Sequence, residues 1–134
     1  MHDPGAEANR WLDQARNDLA FARYALEGGF FHQACFNAQQ AAEKGLKALH
    51  YAHGARTVLG HSVVGLLARL TSAAPDLEAL GDAAAELDLY YIPSRYPNGL
   101  VEGTPHAAFT RSQAERGIAA ARSILAAVEI RLGT

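Results

Sequence analysis

The chain has little of several things that would otherwise decide its class. A single cysteine, Cys35, occurs among 134 residues, so no internal disulfide can form. Its neighbours Ala34, Phe36 and Ala38 mark it as a small hydrophobe inside a helix rather than a nucleophile. No apolar run approaches the roughly 18 residues a membrane span needs, and no signal-peptide core opens the sequence, which points to a soluble, cytoplasmic chain. Basic residues are not in excess: 12 Lys and Arg face 14 Asp and Glu, for a formal charge of -2. Any hold on RNA or a nucleotide must then be local rather than a matter of bulk electrostatics. There is no strand-like alternation, internal repeat, low-complexity segment, Gly-rich phosphate loop, CxxC motif or Ser-His-Asp set.

What is present is helical periodicity. Hydrophobic residues make up 49% and charged residues 19%, enough apolar content for one domain spanning residues 1–134 with a real core. Asp3-Pro4 reads as a cap and first turn. Trp11, Ala15, Leu19, Ala22 and Leu26 then repeat at helical steps until Gly28-Gly29. The second helix, about Phe30 to Ala52, carries a wide stripe of mostly small residues (Ala34, Cys35, Ala38, Ala41, Ala42, Gly45), which suits a central helix approached closely by others. Gln39 and Gln40 interrupt its apolar side and suggest a buried hydrogen bond to another helix or across a dimer. Lys44 and Lys47 lie near Glu43 on a face that reads as solvated. His50 and His53 sit in the last turn, with no acidic residue within six positions, so no metal site is expected.

A loop over 55–61 leads to a short helix at Ser62–Leu70. Pro75 opens a fourth helix whose stripe of Leu77, Leu80, Ala84, Leu87 and Tyr91 runs to the first of two prolines. Residues 92–109 hold Pro93, Pro97, Gly99, Gly103 and Pro105 and are expected to form an ordered irregular loop. Thr110 with Gln113 gives a capping box for the last helix. The expected fold is all-α, an up-and-down bundle of about five helices.

The segment from Leu87 to Asn98 stands out. It places Arg95 between Pro93 and Pro97, with Tyr90, Tyr91 and Tyr96 around it and Asp88 upstream. An arginine fork suits a phosphate, and tyrosines can stack on a base. Equally, Asp88 can form a structural ion pair with Arg95, and the tyrosines can serve the core or a dimer interface.

Three ordered motifs carry a resemblance. The run from Phe31 to Leu49 (FHQACFNAQQAAEKGLKAL), the Gly60-His61-Ser62 turn and the Leu87–Asn98 stretch, with the Trp11…Asp18-Leu19 helix before them, resemble the HEPN domain family (higher eukaryotes and prokaryotes nucleotide-binding) over nearly the whole chain. The resemblance implies a helical bundle that pairs as a homodimer. It also implies a frequent partner, a minimal nucleotidyltransferase, in a toxin–antitoxin-type pair. Many members are metal-independent RNases in which an arginine, a short spacer and a histidine act together.

Here the sequence departs from that pattern. Arg95 matches the family arginine, but the next histidine, His106, lies too far along. Arg56 and His61 have the right spacing in the wrong loop. The catalytic candidates are therefore Arg95, His61 and His106. Arg95, Asp88, Lys44, Tyr91 and Tyr96 are the candidates for holding a nucleotide or phosphate. No metal or cofactor is expected. The first functional expectation is a homodimeric nucleotide- or RNA-phosphate-binding module that partners a minimal nucleotidyltransferase. The alternatives are an endoribonuclease toxin using Arg95 with a non-standard histidine, or a purely structural dimer.

Overall fold

The computed structural model describes residues 3–134, and everything below concerns those residues. Asp3 accepts from the Ala6 N–H and Pro4 occupies the first helical position, which starts α1 (Pro4–Glu27). The turn that follows places Gly29 at φ 84°, a left-handed conformation open to glycine at no steric cost. The chain then reverses into α2 (Phe31–Ala52). Together α1 and α2 form a helical hairpin, and α6 (Arg111–Leu132) packs across it.

The small-residue stripe does what its composition implies. Ala34, Cys35, Ala38, Ala41, Ala42 and Gly45 are all buried on α2. A methyl group on Gly45 would run into Leu125 of α6, so the two helices meet there almost backbone to side chain. The expected core positions of α6 (Ala114, Ile118, Ala121, Leu125 and Val128) are buried, and the Thr110–Gln113 capping box is formed in both directions. Two ion pairs tie the ends: Arg16 of α1 reaches Glu129 at 2.9 Å, and Arg131 pairs with Asp76.

Two expectations need correction. The segment read as one helix from Pro75 to Tyr91 is a 3₁₀ helix over Pro75–Leu80 followed by α4, Gly81–Asp88. Leu77 and Leu80 eclipse in a 3₁₀ geometry, so the same pair of leucines meets the core without an α-helical turn. The helix also ends three residues early. Tyr90 N–H bonds the Leu87 carbonyl, a tightened final turn that takes the chain out before the prolines are reached. The short helix α3 spans Val63–Ala68 with Ser62 as its cap, and the loop after α4 contains a 3₁₀ turn at Pro97–Gly99 and a one-turn helix, α5 (Pro105–Ala108). That makes six α-helices and no strand among the described residues. The all-α bundle stands. None of its helices is long and apolar enough to cross a membrane.

Candidate functional site

The stretch after α4 folds back on itself. Arg95 and Tyr96 N–H groups both bond the Ile92 carbonyl, and the buried Ser94 hydroxyl donates to the Tyr90 carbonyl. Gly99 closes the loop. A Cβ there would stand 3.0 Å from Pro93 Cα, so the Pro97–Gly99 turn can lie directly on the first proline. Arg95 is thus carried on a short, internally bonded platform rather than a free loop.

Its guanidinium is held by aromatic faces. The guanidinium carbon lies 4.5 Å from the centres of both Phe36 and Tyr91 and 5.0 Å from Tyr96. Nε donates to the Tyr91 carbonyl at 3.0 Å. Arg95 pairs with no carboxylate among the described residues. The expected Asp88–Arg95 ion pair does not form. Asp88 instead closes the N-terminus of α3, accepting from Val63 N–H at 2.6 Å, Ser62 Oγ at 2.7 Å and Val64 N–H at 3.3 Å. Three unpaired donors at a helix start attract a carboxylate more strongly than one guanidinium already seated on rings.

Tyr91 is braced in turn. His61 stacks on it with ring centres 4.9 Å apart and planes 16° from parallel. His61 Nδ1 sits 3.3 Å from both oxygens of Glu43, a carboxylate buried in α2 beside Lys47 (3.2 Å). Gln39, fully buried, donates to Glu43 and to the His61 carbonyl, and accepts from Gln40. Gln39 therefore makes a buried hydrogen bond, but to the loop before α3 rather than to another helix, and it fastens that loop to α2.

The lysines are placed differently from the solvated face expected of them. Lys47 is buried against Glu43 and 5.6 Å from the Trp11 ring centre, and Lys44 is 2.5 Å from Asp18 of α1. Lys44 lines a separate cavity with Trp11 and Arg10, not the one beside Arg95. His50 reaches the Leu66 carbonyl of α3 at 2.9 Å instead of the carbonyls of its own helix. Tyr90 is core: its hydroxyl bonds Glu86, and burial followed by that bond raises its pKa. Tyr96 stays exposed at the rim of the loop. Arg56 is exposed in the loop before α3.

Beside Arg95 lies a cleft of about 390 Å³ lined by His32, Gln33, Phe36, Asn37, Ser94 and Arg95. His32 was not singled out in the sequence, although it lies one helical turn before Phe36 and so on the same face of α2. His106 on α5 is turned back toward it, ring centres 6.4 Å apart.

A family model described as "HEPN domain" matches residues 8–131. The chain belongs to the HEPN domain family. Several solved structures are similar to it, three of them as follows. TT1696 from Thermus thermophilus shares 44% identity at a TM-score of 0.88, covering 97% of this chain and 98% of that one. ST0689, described as an archaeal HEPN homologue, shares 38% at 0.78 over 94% and 98%. A HEPN domain protein from Thermotoga maritima shares 37% at 0.74 over 92% and 98%. No curated protein matches. In this HEPN domain, the arrangement around Arg95 offers a fixed cation with its two terminal amino groups left for an anion, and flat aromatic surface beside it.

Proposed function

We propose that this HEPN domain is a nucleotide- or RNA-phosphate-binding module in which Arg95 takes the phosphate. The observation that carries this reading is a guanidinium without a carboxylate partner, pinned through Nε and three rings at the edge of a cleft. A cation held in this way keeps its donors aimed and loses little freedom on binding an anion. Tyr91, braced by His61, and the exposed Tyr96 supply the surface for a base. Asp88 and Lys44 serve this site only from outside it, through α3 and the α1–α2 seam.

The module works as a homodimer alongside a minimal nucleotidyltransferase in a toxin–antitoxin-type pair. Family membership supports that part, as does an exposed aromatic patch of Phe21, Tyr24 and Phe30 where α1 meets α2. Titration calorimetry with adenosine 5′-monophosphate and with inorganic phosphate tests the site. Binding by the wild type that is lost in Arg95→Ala, with an unchanged melting curve, is the expected result. Equal binding by the variant overturns it.

A further inference from the structure

A second guanidinium without a carboxylate partner stands at the other end of α2. Arg69, at the C-terminus of α3, donates from Nη2 to the Leu59 carbonyl at 3.2 Å and forms no ion pair among the described residues. That bond steadies the fork against the loop before α3 and leaves its other donors free. Beside it is a cavity of about 380 Å³, lined also by His50, Thr57 and Val58. Among the described residues, the exposed Thr57 hydroxyl has no hydrogen-bond partner, and the N–H groups of residues 56–61 donate to no protein acceptor.

The surroundings carry one sign of charge. No Asp or Glu occurs between Lys44 and Pro75, although the whole chain has a formal charge of -2. Lys44 and Lys47 are compensated by Asp18 and Glu43, whereas Arg56 and Arg69 are not compensated among the described residues. Asp88, at the opposite end of α3, is committed to Ser62, Val63 and Val64. Burial first, and then the charges of Arg69 and His53, hold the His50 pKa down against its bond to Leu66, so three basic side chains gather here. A concave surface of one sign concentrates anions.

The loop before α3 joins this cavity to the Arg95 site. Leu59, held by Arg69, is followed by Gly60 and then His61, which stacks on Tyr91 beside Arg95. The two guanidiniums flank α2 near Phe36 and near His50, positions roughly 20 Å apart along the helix axis. A stacked strand advances about 3.4 Å per phosphate. About six nucleotides therefore span both cations, and a mononucleotide reaches only one.

We propose that the Arg69 cavity is a second phosphate site, taking one phosphodiester of a single nucleic-acid strand whose other end is seated at Arg95. The inference rests on the phosphate-binding reading of Arg95 and deepens it, since the ligand becomes a strand rather than a mononucleotide. Arg69 and the Thr57 hydroxyl donate to the non-bridging oxygens.

The test uses the full chain with two fluorescein-labelled oligothymidylates, a trinucleotide and a strand of about eight nucleotides, over a range of salt. Inorganic tripolyphosphate serves as the free-phosphate probe. The wild type is expected to bind the long strand about 10-fold or more tighter than the trinucleotide. Arg69→Gln is expected to abolish that advantage and to reduce the salt slope by about 0.7, the share of one phosphate contact, with adenosine 5′-monophosphate binding unchanged. Thr57→Glu, which puts a carboxylate into the cavity and leaves the Arg69–Leu59 bond in place, is expected to do the same should Arg69→Gln shift the melting curve. Wild-type slope and length preference in both variants overturn the second site and leave the Arg95 reading standing. Tripolyphosphate bound through Arg69, with no preference for the long strand, overturns the strand and gives the cavity to a free polyphosphate. Equal adenosine 5′-monophosphate binding by Arg95→Ala overturns the Arg95 reading, and the spanning strand with it.

Discussion

Arg95 is bound to Tyr91 twice over: its guanidinium lies 4.5 Å from the tyrosine ring centre, and its Nε donates to the carbonyl of the same residue. The ring supplies a flat face and the carbonyl a fixed direction, so the contact needs a planar, forked cation. A lysine can supply neither, although it keeps the charge.

Arg95→Lys is therefore expected to weaken adenosine 5′-monophosphate binding by about 1.5–3 kcal/mol, the scale of one charge-assisted hydrogen bond. Calorimetry at matched ionic strength measures it. A lysine variant that binds as well as the wild type would mean that charge alone makes the site.

Asp88→Ala separates the two roles once open to that residue. It removes the carboxylate that accepts from Ser62, Val63 and Val64 at the start of α3 and is expected to lower stability by about 1–2 kcal/mol in urea unfolding. Phosphate affinity is expected to stay where it was. A drop in affinity with no drop in stability would return Asp88 to the binding site.

Glu43 and Lys47 are a buried pair, their side chains 5% and 7% exposed. Taking away one partner strands the other, so Glu43→Ala is expected to cost about 3–5 kcal/mol by equilibrium unfolding. The double variant Glu43→Leu, Lys47→Met is expected to recover most of that loss. Because Glu43 also faces His61, the single variant should loosen Tyr91, seen as faster amide exchange over residues 90–96.

Acid should destabilise the fold through His50. Burial lowers its pKa against the partly offsetting bond to Leu66, so the native ring resists a proton that the unfolded ring accepts near pH 6.5. The unfolded chain then binds more protons in that range, and stability falls as pH drops through and below it. Melting temperatures across that range should show the fall, and His50→Gln should reduce it, leaving the share from His32, whose pKa is also lowered by burial.

The helical framework was legible because its signals are local. Asp3-Pro4, Thr110 with Gln113, Gly28-Gly29 and the small-residue stripe of α2 each act within a turn or two of where they stand in the chain. The partners of charged side chains were not legible. Asp88 chose α3, Lys44 chose Asp18 and His50 chose Leu66 across separations that no spacing rule encodes. His32 escaped notice for another reason. It occupies a stretch whose packing role explained the residues around it, and only the return of the Pro105–Ala108 turn gives it a neighbour. Arg95 itself was readable, since two prolines and three tyrosines around one cation are a strong local constraint.

The lone indole of the chain has a use that follows from where it sits. Trp11 lies 5.4 Å from the Tyr51 ring and 5.6 Å from the Lys47 ammonium, toward the end of α2 opposite the cleft. Phe36 and Tyr51 are fifteen residues apart on that helix, roughly 20 Å along its axis. The chain thus contains its own optical reporter, beyond the reach of anything seated at Arg95. A shift in tryptophan emission on adding a nucleotide would be a signal transmitted through α2 rather than a contact, and silent emission would mark the two ends of the bundle as mechanically independent.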